Sequence, residues 1–172
     1  HGEKIASFYE KLRDGKSSTT SMINTQRFLE IFESYLEEGL DILHISFSSG
    51  LSGTYNASRL AQIELQEKYP DQKIYLVDSL AASIGQGLLV YHAAMKKKEG
   101  HDLDALHQWV EQEKKNVSHW FTVEDLMHLK RGGRISALSA NVGTALSIKP
   151  ILSVNLDGKL ITQGKVMGRK KS

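Results

Sequence analysis

The run Ser48-Ser49-Gly50-Leu51-Ser52-Gly53-Thr54-Tyr55 constrains this chain more than any other stretch. It follows the apolar segment Ile42-Leu43-His44-Ile45 and precedes Ala57, Leu60, Ala61 and Leu65 at helical spacing. A strand that breaks on glycines and hydroxyl residues, then re-enters as a helix, gathers backbone N–H groups and Ser/Thr donors at one point. The N-terminus of a helix carries unpaired donors and a partial positive charge, so the loop reads as an anion receptor.

The same alternation continues downstream. Lys73-Ile74-Tyr75-Leu76-Val77-Asp78 reads as a second strand, followed by a helix from near Ser83 to the lysine cluster before Gly100 and another from Asp102 to about Asn116. Upstream, Ile5, Phe8, Tyr9 and Leu12 mark an amphipathic segment. Phe28, Leu29, Phe32, Tyr35 and Leu36 mark a longer helix, with Asn24 or Thr25 as its N-cap and Gly39 as its stop. Strands alternating with helices over short connections predict a parallel sheet with helices on both faces. Right-handed crossovers then bring the loops after both strands to the carboxyl edge, where open α/β sheets bind ligands.

The pattern changes after Trp120. A short strand, Trp120 to Val123, leads to a helix from Asp125 to Lys130 and then to Arg131-Gly132-Gly133-Arg134. Small residues dominate from Ser136 to Ser147. Ile151 to Val154 and Lys159 to Thr162 flank Asn155-Leu156-Asp157-Gly158, a β-hairpin signal. The expected organisation is an α/β domain over residues 1–118 and the start of a second, antiparallel α+β domain over 119–172. The chain begins at His1 and ends in Gly-Arg-Lys-Lys-Ser, and so reads as a piece of something longer.

Composition narrows the function. A net charge of +2, spread over several segments, argues against nucleic acid as a partner, and the clusters Lys96-Lys97-Lys98 and Arg169-Lys170-Lys171 read as a solvated helix end and terminus. Cysteine is absent, which removes disulfides, thiolate chemistry and Cys-ligated zinc. The histidines show no paired ligand spacing, so no metal is expected. No apolar run approaches the length of a membrane span and no signal-peptide pattern is present, so a cytoplasmic location is the default expectation.

Gly50-Leu51-Ser52-Gly53 does not meet the Gly-x-Ser-x-Gly spacing of a nucleophile elbow, and no histidine lies in a partner motif. No Gly-Lys-Ser/Thr closes the loop as in a Walker motif. Gly85-Gln86-Gly87 reads as close helix packing. Asp78-Ser79 either faces the same edge as Ser49 or caps the next helix. Two glycines beside Arg134 let the backbone bend and aim a guanidinium, the side chain that pairs with a carboxylate or phosphate through two parallel bonds.

These segments, in this order, resemble the DegV family, the bacterial fatty acid-binding proteins that include the FakB subunits of fatty acid kinase. The resemblance rests on Thr20-Ser21, Ile45 to Tyr55, Val77-Asp78-Ser79, Leu129 to Ile135, and Ile148-Lys149-Pro150-Ile151 with the hairpin after it. It runs from about Phe8 to Lys165. The family's opening strand is expected before residue 1, Met22-Ile23-Asn24 stands where the family reads Gln-Pro-Ser, and the family's ligand-side histidine has no counterpart here.

The resemblance implies a fatty acid held between two domains. Its carboxylate would meet hydroxyls matching Thr20 and Ser49, with Ser48, backbone N–H groups around Gly50, and Arg134 in support. It also implies a non-catalytic carrier with no cofactor beyond the bound long-chain acid. That carrier would present the acid to a separate ATP-dependent fatty acid kinase for phospholipid metabolism, and transient contact with a membrane surface is compatible with it. Neutral donors on a rigid loop can hold a carboxylate without burying an unpaired cation. A helix end contributes only about 0.3–1 kcal/mol to an anion, whereas a long acyl chain offers on the order of 10 kcal/mol at roughly 0.8 kcal/mol per buried CH₂. Affinity is therefore expected from an apolar tunnel. Two competing readings use the same Ser48–Thr54 loop: a serine-dependent hydrolase or transferase with Ser49 or Ser52 as nucleophile, and a phosphometabolite-binding module.

Overall fold

The computed structural model describes residues 4–123, 129, 132–134 and 148–168. The expected helix Asp125 to Lys130 (apart from Leu129), Arg131, the small-residue run Ser136 to Ser147 and the terminal Arg169-Lys170-Lys171 lie outside the described residues.

Strands β1 (Ile42–Ser46) and β2 (Ile74–Asp78) pair in parallel, with Ile42 opposite Ile74 and Ser46 opposite Asp78. Successive strand side chains point to opposite faces, so each strand must feed two cores. On one face Ile42 and Ile74 pack with Phe28, Phe32 and Leu36 of α2 (Thr25–Leu36) and with Ala57, Ala61 and Leu65 of α3 (Thr54–Lys68). On the other, Leu43, Ile45 and Val77 pack with Leu89 and Ala93 of α4 (Ser83–Lys98) and Leu106 and Val110 of α5 (Leu103–Glu113). Burial on both sides explains why these strands read as near-continuous apolar runs. The expected α/β architecture is the one observed.

Capping sets the helix starts. The Asn24 side chain accepts the Arg27 N–H at 2.9 Å and Asp102 accepts that of Ala105 at 2.8 Å, so Asn24, not Thr25, caps α2. The first helix, α1 (Ile5–Arg13), forms as its periodicity predicts, yet none of its residues is buried. His44 of β1 points among α2 aromatics, its ring 5.2 Å from Phe28 and 5.5 Å from Phe32. Its Nε2 is buried without a partner, and burial holds the imidazole below its ordinary pKa.

A second sheet is antiparallel, in the order β3 (Trp120–Thr122), β4 (Ile148–Val154), β5 (Leu160–Met167). The β4–β5 turn is built by Asn155, whose side-chain oxygen accepts the N–H groups of Asp157 and Lys159 at 3.2 and 2.8 Å. Gly158 closes it at φ +71°, a conformation costly for any residue with a Cβ. Buried Leu152 and Leu160 gather Phe121, Val123, Leu129 and Val154 around them, together with Leu51 from the loop after β1. One side chain of the serine–glycine loop thus belongs to the second core, and that insertion brings the loop against the antiparallel sheet. No helix among the described residues is long and apolar enough to cross a membrane.

Candidate functional site

The loop after β1 divides into two halves. In the first, the Ser48 hydroxyl and the backbone N–H groups are engaged by protein. Ser48 is buried; its hydroxyl donates to the Gly158 carbonyl at 2.7 Å and accepts the Gly50 N–H at 3.2 Å, while its own N–H donates to Ala81 at 3.0 Å. The Ser49 N–H donates to Asp78 Oδ1 at 3.1 Å, and the same oxygen accepts the Leu80 N–H at 3.2 Å. Asp78 therefore joins the loops that follow both parallel strands, and α4 takes Ala82 as its N-cap. Gly50 sits under the hairpin turn so closely that a Cβ there would lie 2.6 Å from the Asp157 carbonyl oxygen and 2.7 Å from that of Gly158.

These bonds fix a strained connection. Leu80 and Ser83 adopt φ of +53° and +49°, left-handed values that only a firmly held backbone sustains in residues with a Cβ.

The second half of the loop faces a cavity of about 780 Å³, within the usual range of small-molecule sites. Its hydroxyl and cationic lining comes from Thr20, Ser21, Ser52, Thr54, Ser83 and Arg134. Ser52 Oγ and Thr54 Oγ1 lie 2.9 Å apart, and Ser52 Oγ also accepts the Thr54 N–H at 3.2 Å, at the first turn of α3. Arg134 follows the turn at Gly132-Gly133, where Gly133 has φ +72°. Its Nε donates to the Leu51 carbonyl at 3.2 Å and its Nη1 to the Gly132 carbonyl. Those two bonds hold the guanidinium against the loop, and a guanidinium carries five N–H donors. The rest of the wall is mostly apolar, from Met22, Phe47, Leu51, Ile84, Trp120, Phe121, Leu129 and Leu160, with His119 among them.

Of the residues singled out from sequence, Thr20 and Arg134 line the cavity. Ser48, Ser49 and Gly50 do not; the hydroxyl of Ser48 and the N–H groups of Ser49 and Gly50 are taken by the bonds above. The loop hydroxyls on the cavity are instead Ser52 and Thr54. The motif contained them, but sequence does not tell which hydroxyls a neighbouring turn will claim. An apolar tunnel was expected, but its lining residues were not, because they come from separate segments that meet only in the fold. Met22, where the family reads a different residue, lies in that wall with its sulfur 2.9 Å from where a Cβ of Gly53 would stand. Gly85 behaves as expected of close packing: a Cβ there would sit 2.5 Å from His119 Nδ1, whereas Gly87 faces open space. Among the described residues no cluster of three or more acidic or histidine side chains could hold a metal.

A family model described as "Uncharacterised protein, DegV family" matches residues 2–172. A DegV domain-containing protein of Clostridium perfringens is 54% identical over 165 residues, which cover 96% of this chain and 57% of that protein. Among solved structures, a fatty acid-binding DegV family protein from Thermus thermophilus is 33% identical with a TM-score of 0.81, covering 96% of this chain and 57% of the other. A DegV lipid-binding protein from Thermotoga maritima is 32% identical with a TM-score of 0.80, over 97% of this chain and 57% of the other. DegV of Bacillus subtilis, a fatty acid-binding protein, is 31% identical with a TM-score of 0.79, over 96% and 58%. The chain spans a little under three-fifths of the length of these relatives.

Proposed function

The chain belongs to the DegV family, and from that membership we propose that it binds a long-chain fatty acid in the cavity beside the serine–glycine loop. The observation that carries the reading is the composition of that cavity: a mainly aliphatic and aromatic lining that also carries several hydroxyls and one arginine. An amphiphile with one anionic end and a long apolar tail matches both kinds of lining. The carboxylate would meet Thr20, Ser52, Thr54 and Arg134, while Ser48, Ser49 and Gly50 hold the loop that presents them. The tail supplies affinity, on the order of 10 kcal/mol for sixteen or so methylenes before the costs of association. The polar end supplies orientation.

The chain's role, on this reading, is that of a non-catalytic carrier. It presents the bound carboxylate to a separate ATP-dependent kinase, which phosphorylates it. A fixed guanidinium and neutral hydroxyls orient a carboxylate without themselves performing group transfer, which supports a carrier over a serine hydrolase.

Trp120 lines the cavity and is 63% exposed, so its fluorescence reports occupancy. Titration with stearate should shift the emission to the blue and saturate at one equivalent, while inorganic phosphate at millimolar concentration leaves it unchanged. A response to phosphate with none to stearate would favour a phosphometabolite site. With kinase and ATP, Thr20→Ala should lower acyl-phosphate formation more than stearate affinity; an unchanged transfer rate would remove the carrier assignment.

A further inference from the structure

Residues 17–23 run from α1 to the cap of α2 and give Thr20, Ser21 and Met22 to the cavity wall. Every one of them is exposed, and none forms a hydrogen bond to another described residue through backbone or side chain. Other wall segments are tied down. Leu51, Ser52 and Thr54 are held by bonds within their loop, Trp120, Phe121 and Leu160 by strand pairing, and Arg134 by two carbonyls. The two ends of the 17–23 segment also differ. Downstream, Asn24 caps α2 and Phe28 is buried, which fixes the chain; upstream lies α1, none of whose residues is buried. A stretch with solvated backbone groups and few buried contacts has a low free energy of local opening, and moving elements around ligands are drawn from such stretches.

Met22 seats this segment on the serine–glycine loop. Its Sδ lies 2.9 Å and its Cε 3.8 Å from the ideal Cβ position of Gly53, between the cavity hydroxyls of Ser52 and Thr54. Gly53 has φ −71° and ψ 0°, a backbone open to other residues, so what its missing side chain supplies is room for the thioether. An unbranched methionine leaves and regains such a seat by rotating its own side chain, without rebuilding the loop beneath.

We propose that residues 17–23 are a strap over the cavity, hinged at Asn24 and latched by Met22 on Gly53, which opens to admit and release the ligand. The proposal rests on the fatty acid reading and adds how that ligand enters and leaves. Thr20 rides on the strap, so closing it covers the tail and brings a hydroxyl to the carboxylate in one motion. The latch joins two protein groups whether or not ligand is present. It therefore sets the rates of entry and exit together and cancels from the affinity.

The chain has no cysteine, so Met22→Cys combined with Gly53→Cys gives two unique thiols that a short bis-methanethiosulfonate reagent can link and dithiothreitol can release. Stearate uptake and release are followed by stopped-flow fluorescence of Trp120. Linking should slow both at least about tenfold, and reduction should restore them. In the otherwise unaltered chain, Gly53→Ala puts a Cβ against the Met22 sulfur and should raise both rates about fivefold while the dissociation constant changes less than about twofold. Equal exchange rates in the linked and reduced forms overturn the strap and leave the fatty acid reading standing. Unchanged rates in Gly53→Ala overturn the latch in the same way. Failure of wild type to bind stearate overturns the fatty acid reading itself, and this proposal with it.

Discussion

Ser48 and Ser52 stand four residues apart in one loop, with the same side chain, and do different work. Ser48 is buried, and its hydroxyl ties the loop to the Gly158 carbonyl of the β4–β5 turn. Ser52 faces the cavity, its hydroxyl 2.9 Å from that of Thr54. The first half of the loop is a fastening between two sheets, and the second half is a lining. Between them Leu51 packs against the second core, and the N–H groups of Leu51 and Ser52 both donate to the Ser48 carbonyl, closing the turn. A motif rich in hydroxyls can therefore be half scaffold and half site, and only the partners of each oxygen tell which is which.

That contrast can be attacked from its strongest point. Gly158→Ala places a Cβ at φ +71° and 2.0 Å from Ser48 Oγ, so it strains the turn and breaks the fastening together. It should cost on the order of 3 kcal/mol in urea denaturation, combining left-handed strain with overpacking. A loss under about 1 kcal/mol would show that the turn yields easily and that the fastening is weak. Ser48→Ala leaves the Gly158 carbonyl and the Gly50 N–H without their partner, and should cost about 1–3 kcal/mol.

The lining half should behave in the opposite way. Ser52→Ala and Thr54→Ala should each change stability by less than about 1 kcal/mol but weaken stearate binding several-fold, as expected for lost hydrogen bonds to a charged group. If stability falls and affinity does not, the division between the halves is misplaced.

The smallest expected effect lies away from the loop, in the core of β1, and separates acid sensitivity from the fastening. Burial depresses the pKa of His44 in the folded state below its ordinary 6.5. The unfolded chain therefore takes up the proton first as pH falls, so stability is at its full value above about pH 6.5 and declines below it. His119, also depressed by burial, adds a slope of the same sign. His44→Leu should flatten the decline between pH 7 and 5 without removing it, whereas Ser48→Ala should lower stability equally at both. An unchanged slope in His44→Leu would place the acid-sensitive group elsewhere.

Much of this arrangement was legible before the fold was seen. Alternation of β-branched runs with helical spacing gave the parallel sheet, because a strand buried on both faces has no polar side to disguise it. The Asn-Leu-Asp-Gly turn gave the hairpin, because few residues tolerate the backbone it needs. Thr20 and Arg134 were legible as cavity residues through family resemblance and through the two glycines that aim the guanidinium. The roles of Ser48 and Gly50 were not, because their partners lie more than a hundred residues away at the hairpin turn. His119 was legible only as a histidine without metal-ligand spacing; its position over Gly85 depends on how β3 meets α4. The apolar pattern of α1 predicted a helix correctly, but periodicity does not reveal what, if anything, covers the apolar side.

If the cavity beside the loop holds a long-chain fatty acid, denaturing mass spectrometry of an organic extract will detect it. The protein, purified from bacteria without added lipid, should yield close to one equivalent of a C14–C18 acid, and Arg134→Ala should yield markedly less. An extract empty of acyl chains from well-folded wild-type protein would contradict the account and leave the loop as an anion site for a different, smaller ligand.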